Sequence, residues 1–374
     1  MTILQKLIMG GAAGNSGYAL FATGSNSSGN LGLGDTLARN SPTQVGTGES
    51  WSYISASSVG GAASAMGIHA GKLYAWGNNF SGELGLNNTT GYSSPVQVGT
   101  EENWALVDIL TGSTLAIKKD GTLWSWGINN SGQLGTGDTA NRSSPVQVGS
   151  LTDWANVKIS SAGHTLALKT DGTLWAWGYN NHGQLGNSST AHTSSPIQIG
   201  TETNWTDIGV TKSGSLAINS AGNVFAWGLN HLGQLGQNDI TNRSSPVQVG
   251  AGTTWAAITP GYNSIWLKNT NNELFATGRC AEACFGNGVT SAYDVSNLTQ
   301  LGTDNDWSKL FMGMSYTGHA IKTDGTFWAW GLNSSGECGL GTNTLVSVPV
   351  QLGNETNWVS SDHSGNFGFF LKAV

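Results

Sequence analysis

GHTLALKTDGTLWAWGYNNHGQLG, running from Gly163 to Gly186, is the stretch that decides the fold. Apolar and polar residues alternate on both sides of Asp171-Gly172, as they do in two strands that each bury one face. Asp-Gly between such runs is a strong hairpin signal, and the two-residue form of that turn requires φ > 0 at both positions. The same dipeptide recurs at Asp120-Gly121 and Asp324-Gly325. In Leu174-Trp175-Ala176-Trp177-Gly178 the alternation puts two tryptophans on one face and Leu174 with Ala176 on the other. A sheet with one large-residue face and one small-residue face is built to stack against copies of itself. After it comes a Gly/Asn-rich crossover. SSPIQIG then reads as a further strand, with its proline expected at the strand start, where no ladder donor is lost.

Working outward, the five-residue strand ending in glycine occurs seven times, closing at Gly24, Gly77, Gly127, Gly178, Gly228, Gly278 and Gly331, with spacings of 53, 50, 51, 50, 50 and 53 residues. Two further markers hold the same register. A Pro-x-Gln-aliphatic-Gly segment starts at Pro42, Pro95, Pro145, Pro196, Pro246 and Pro349, and its seventh copy, Leu298 to Gly302, lacks the proline. A lone tryptophan recurs as Trp51, Trp104, Trp154, Trp205, Trp255, Trp307 and Trp358. Four short strands per unit and seven units predict an all-β, seven-bladed β-propeller. A solenoid would need polar caps at both ends. Here the C-terminus stops after FGFFLKAV, half a unit, and the N-terminal GYALFATG supplies the other half. The expected ring is therefore closed by pairing of N-terminal and C-terminal strands, which removes two sheet edges. Residues 17–374 form this single domain, and 1–16 stand outside it.

The pattern from Gly163 to Gly186 closely resembles the repeat of the regulator of chromosome condensation family, and the resemblance covers about residue 17 to 374. It implies the same closed propeller. The family is said to include a nucleotide exchange factor for a small GTPase, a protein inhibitor of β-lactamases and many bacterial and phage proteins. Exchange factors carry an inserted wedge and basic surfaces. This chain has neither, and its compact Asn/Ser/Thr-rich repeats look more like the bacterial and phage branch.

Composition narrows the function. Charged residues are only 10% of the chain, and the net charge is −7 with lysine and arginine scattered singly. Phosphate-backbone binding needs a basic stripe, so nucleic acid is excluded as the expected partner. No apolar run is long enough for a membrane-spanning helix, and the opening MTILQKLIMG has too short an apolar stretch for a secretory signal. Glycine runs are not followed by Lys-Ser/Thr, so no nucleotide loop or other cofactor site is expected. The seven histidines fall into no repeated ring, and His182 and His231 sit in crossover loops without a recurring carboxylate or cysteine beside them. No metal and no catalytic constellation are read. Cys338 takes a leucine's place in its repeat and reads as a core residue. Cys280 and Cys284, in the degenerate TGRCAEACFG, read either as a local disulfide or as two unrelated thiols.

What remains is binding. The residues following the repeat glycines are Ser25, Asn78, Ile128, Tyr179, Leu229, Arg279 and Leu332, which a closed ring gathers at one rim. Phe80, His182, His231 and Leu232 come close behind. A second variable arc holds Tyr92, Arg142, His192, Arg243 and Tyr293. Tyr, Phe and Arg on rigid loops are the residue types that dominate interfaces. The expected activity is non-enzymatic protein binding. The leading form is a bacteriophage virion component that contacts other virion proteins or a host surface molecule. Leu4, Leu7, Ile8 and Met9 would anchor it, and the symmetry of an assembly would multiply it. A bacterial interaction module or enzyme inhibitor, in the cytoplasm or exported without a signal peptide, is the alternative.

Overall fold

Asp171-Gly172 turns the chain where expected, but by a different route. Gly172 has φ +80°, as do its counterparts Gly121 (+78°) and Gly325 (+84°), while the three aspartates keep negative φ. The turn is therefore the three-residue hairpin, with a type I turn followed by a left-handed glycine. Aspartate earns its place through its side chain. Asp171 Oδ1 accepts from the Thr173 amide at 3.0 Å and hydroxyl at 2.7 Å, and that hydroxyl in turn accepts from Trp175 Nε1 at 2.9 Å.

A computed structural model describes residues 17–47, 50–59, 62–313 and 316–374. It contains seven four-stranded antiparallel sheets. Numbered from the first blade made of one continuous segment, they are blade 1 (Trp51–Gln97), blade 2 (Trp104–Gln147), blade 3 (Trp154–Gln198), blade 4 (Trp205–Val249), blade 5 (Trp255–Leu301) and blade 6 (Trp307–Gln351). Blade 7 is composite. Trp358–Ser364 and Phe367–Lys372 come from the C-terminus, and Ala19–Gly24 and Arg39–Gln44 complete the sheet. Ala19–Gly24 pairs along its whole length with Phe367–Lys372, Ala19 opposite Lys372 and Gly24 opposite Phe367. The ring closes as the half-units at the two ends require.

In each blade the strand that begins with the lone tryptophan lines the central channel, and the strand of the Pro-x-Gln segment, which lacks its proline in blade 5, is outermost. Pro196 lies inside its strand, Thr193–Gln198, rather than at the start. It sits in an irregularity where the pairing jumps from Ala176–Ile197 to Gly178–Thr193. A residue without an N–H is tolerated there, on an edge and in a bulge.

Seven separate apolar clusters lie between the blades, one for each seam. The seam of blades 3 and 4 shows the rule. Leu166, Leu168, Leu174 and Ala176 of blade 3 meet Trp205, Ile208, Ala217 and Trp227 of blade 4. The small face of one blade thus receives the large face of the next. The buried indole also reaches across its seam, Trp227 Nε1 donating to Gln184 O at 2.9 Å and Trp177 Nε1 to Gln133 O at 2.9 Å. A glycine lies against each of these indoles. A Cβ on Gly135 would stand 2.8 Å from Trp177 Nε1, and Gly135 has φ +74° besides. That is why the Gly-Gln-Leu-Gly turn ends in glycine. In blades 5 and 7 threonine replaces the tryptophan, and the hydroxyls of Thr277 and Thr23 donate to Gly233 O at 3.0 Å and Gly336 O at 2.8 Å.

Candidate functional site: crossover face and central channel

The loops joining the third and fourth strands of each blade share one face of the ring with the hairpins between the first and second strands. An asparagine holds each loop in six of the seven blades. Asn180 accepts from the Leu185 amide at 2.9 Å and donates to Ser189 O at 3.0 Å. Asn79, Asn129, Asn230, Asn333 and Asn26 make the same two bonds in their own loops. One side chain therefore pins residue i+5 and residue i+9, and the loop tips stand on fixed supports.

The ring of residues after the repeat glycines lies on this face. Their amides donate to the neighbouring hairpin tips, as Ile128 does to Gly112 O at 2.8 Å and Tyr179 to Gly163 O at 2.8 Å. Ile128, Tyr179, Leu229, Arg279 and Leu332 are half-buried, and Asn78 is buried. Tyr179 packs on His192, with ring centroids 4.8 Å apart. His182 and Leu232 are half-buried, and His231 is exposed. Burial and the neighbouring His231 disfavour the charged form of His182. Phe80 is 83% exposed.

The second arc is tied to its own loops. Arg142 pairs with Asp138 at 2.6 Å and donates to Ala140 O, and Arg243 pairs with Asp239 at 2.5 Å. The Tyr92 and Tyr293 hydroxyls accept from Asn88 and Asn287. Sequence reasoning passed over the Arg39–Asp35 pair at 2.6 Å, although the Asp-x-x-x-Arg spacing was there to be read. It also passed over the outermost tips. Ile240 (66% exposed), Val289 (40%), Leu345 (39%) and Leu37 (67%) belong to the crossover loops of blades 4, 5, 6 and 7 in succession. Leu4, Leu7, Ile8 and Met9 lie outside the described residues.

Beneath this face runs the central channel, with a cavity of about 640 Å³. The fifth residue of each channel strand faces it, in order Ser55, Asp108, Lys158, Gly209, Thr259, Phe311 and Asp362. Several of these bond the next blade. Asp362 Oδ2 accepts from the Ala56 amide at 2.8 Å, Ser55 Oγ from the Ile109 amide at 3.2 Å, and Asp108 Oδ2 from the Ile159 amide at 2.7 Å. Gly209 has no side-chain acceptor to offer, and opposite it stands Pro260, which has no N–H. A Cβ on Gly209 would come within 3.1 Å of the proline ring.

Lys158 bonds Asp108 at 3.1 Å. Burial opposes its charge, but Asp108, Tyr53 and Asp362 more than compensate and hold it protonated. Lys268 and Lys309 also line the cavity, but their ammonium groups bond backbone carbonyls rather than the three aspartates, Asp108, Asp207 and Asp362. Burial pushes Asp362 up to about 7 and Asp207 up to about 6, against the pull of Lys158 and of the amides they accept from.

The buried histidines are core groups. His164 lies between Ser160 Oγ (2.6 Å) and Ser215 Oγ (3.0 Å), and burial lowers it to about 3. His319 and His363 stack with ring centroids 4.3 Å apart, His363 lowered by burial to about 4. Among the described residues no three His, Cys, Asp or Glu side chains come together as a metal site.

A closed ring with one face of braced, variable loops defines a propeller that presents a surface for binding. The sequence matches the RCC1-like domain over residues 19–370, and the chain belongs to that family. It is 38% identical to human X-linked retinitis pigmentosa GTPase regulator over 90 residues, 24% of this chain and 9% of that protein. It is 27% identical to the ultraviolet-B receptor UVR8 of Arabidopsis thaliana over 179 residues, 47% of this chain and 40% of the receptor. These matches span less than half of either relative. Yeast RCC1 (Prp20), solved with Kap60, superposes with a TM-score of 0.82 at 18% identity, over 96% of this chain and 89% of that one. Human WBSCR16 superposes with a TM-score of 0.81 at 17% identity, over 95% and 99%. These structures share the fold. The sequence relatives named are eukaryotic, and neither speaks for a bacterial or phage branch.

Proposed function

We propose that this protein is a protein-binding scaffold whose partner docks on the crossover face, over blades 4 to 7. The observation that carries the reading is that Ile240, Val289, Leu345 and Leu37, four exposed apolar side chains, stand on the crossover loops of four consecutive blades. Scattered single apolar residues on a surface need no explanation, whereas apolar residues gathered on one face favour an interaction site there. The loops beneath three of the four are pinned by asparagine (Asn230, Asn333 and Asn26), so docking there costs little ordering entropy. Half-buried Leu229 and Leu332 stand on the same face, nearer the channel.

A photo-crosslinking residue at Ile240 or Leu345 tests this, with Asp171 on the opposite face as the control. Discrete protein adducts at the first two positions and none at Asp171 are expected, and they should vanish when Leu37 and Val289 are changed to serine. Adducts at Asp171 alone would overturn the reading. A virion display role is the finer form of this proposal. It draws on the polar composition and the opening segment, and the eukaryotic relatives lend it no support.

A further inference from the structure

Blade 5 departs from the other six at the residue that holds its crossover loop. Cys280 stands where they have the clamping asparagine, and Cys284 stands where they have Asn30, Glu83, Gln133, Gln184, Gln234 and Glu337. The sulfur takes over half of the asparagine's work, Cys280 Sγ accepting from the Phe285 amide at 3.0 Å, the i+5 bond of the other blades. Its thiol turns to Ala281 O at 3.9 Å and makes no bond to the i+9 carbonyl, which belongs to Val289. Between the cysteines, Glu282 (φ +53°) and Ala283 (+57°) are two consecutive non-glycine residues in the left-handed region. Such residues persist only where their surroundings hold them. The bond from the Phe285 amide holds the Cys280 sulfur beside Cys284, and both cysteines lie in one buried cluster.

We propose that Cys280 and Cys284 are an oxidisable dithiol, converted by peroxide to a disulfide that braces the blade 5 loop in place of the missing asparagine clamp. Cys280 is the attacking sulfur. The Cys284 thiol and the Phe285 amide both stabilise its thiolate, and they hold it below the usual thiol range, whereas burial keeps Cys284 protonated. The Cys280 thiolate attacks one peroxide oxygen. The S–O bond forms as the O–O bond breaks, and the departing hydroxide takes a proton to leave as water. Cys284 then gives up its proton and attacks the sulfenic sulfur. The S–S bond forms, the S–O bond breaks and a second water leaves. The two thiols lose two electrons and the peroxide gains them. Both sulfurs are buried, so the oxidant must be of water size and enter as the turn opens.

Cys338 is the internal control, a lone thiol buried in the next blade and pushed up by that burial. The position also ties the dithiol to a seam, because Cys284 O accepts from Trp330 Nε1 of blade 6 at 2.6 Å. The inference does not depend on what docks on this face.

The test treats the folded full-length protein with one equivalent of hydrogen peroxide, alkylates remaining thiols and maps peptides by mass spectrometry without reduction. A 280–284 cross-link lighter by two hydrogens is expected, with Cys338 still reduced. Cys284→Ser should stop at a sulfenic acid on Cys280 that a dione reagent traps. Cys280→Ser should consume peroxide at least about tenfold more slowly, as expected when the stabilised thiolate is removed. Oxidation of Cys338 at the rate of Cys280, or a cross-link that forms only in denaturant, would overturn the proposal and leave the pair as inert core. Neither result would bear on the crosslinking at Ile240 and Leu345.

Discussion

Asp362→Asn should stabilise this protein, and by an amount that depends on pH. Asp362 holds the closing seam by accepting from the Ala56 amide of blade 1, and an asparagine oxygen can do the same. What the substitution removes is the burden of ionising a carboxyl in the channel. Burial raises Asp362 from 3.8 to about 7 in the folded state. A folded-state pKa above the unfolded one means a stability contribution fully present below about pH 4 and lost as the pH rises through 7. At about 1.36 kcal/mol per unit, the fully ionised group would cost the folded chain about 4 kcal/mol. Asp362 faces the channel and its water, so about half of that, roughly 2 kcal/mol, is a realistic expectation. In a chain of this size the gain amounts to about 2–4 °C in Tm. The assay is thermal or urea unfolding of wild type and variant at intervals from pH 4 to 9. The two curves should coincide near pH 4, draw apart as the pH rises to about 7 and keep a constant gap above it, with the variant higher. A constant offset across the range, or a variant less stable at pH 9, would refute the assignment of a strained carboxylate to this position.

Gly135→Ala should lose about 2–4 kcal/mol in urea unfolding. It places a Cβ against the Trp177 indole in a backbone conformation that alanine resists. A loss under 1 kcal/mol would mean that the seam can shift to accept it. A chain beginning at Gly17 should keep the Tm of the full chain, whereas one beginning at Ser25 lacks the strand that pairs with Phe367–Lys372. It should be largely aggregated or unfolded by light scattering and circular dichroism, and a folded monomer would show that the ring does not need this closure.

The fold was legible because its evidence repeats. Three markers fall in register seven times, and the broken units at the two ends fit each other. Two local details were misread. The aspartates serve the hairpin through their carboxylates rather than through positive φ, and Pro196 lies in a bulge rather than at a strand start. The rim residues named from the sequence do gather on the crossover face, and they differ in exposure. Ile128 and Tyr179, just after the glycine, are half-buried, whereas Phe80, Ile240 and Leu37 further along the loops are exposed. The channel was not legible at all. Ser55, Asp108, Lys158 and Gly209 occupy one repeat position, yet they have nothing in common as a column. Each is matched to the next blade rather than to its own counterpart, and a search for periodicity discards such positions as noise.

That neighbour matching bears on how such a chain can evolve. Blades that look interchangeable in their outer strands carry a lock and a key on the channel side. Gly209 fits Pro260, Asp108 fits the Ile159 amide, and Asp362 fits the first blade. A duplicated or transposed blade would arrive with the right outline and the wrong handshake. The repeats therefore have a fixed order, and a lineage of this ring can drift in its rim loops far more freely than it can gain, lose or shuffle a blade.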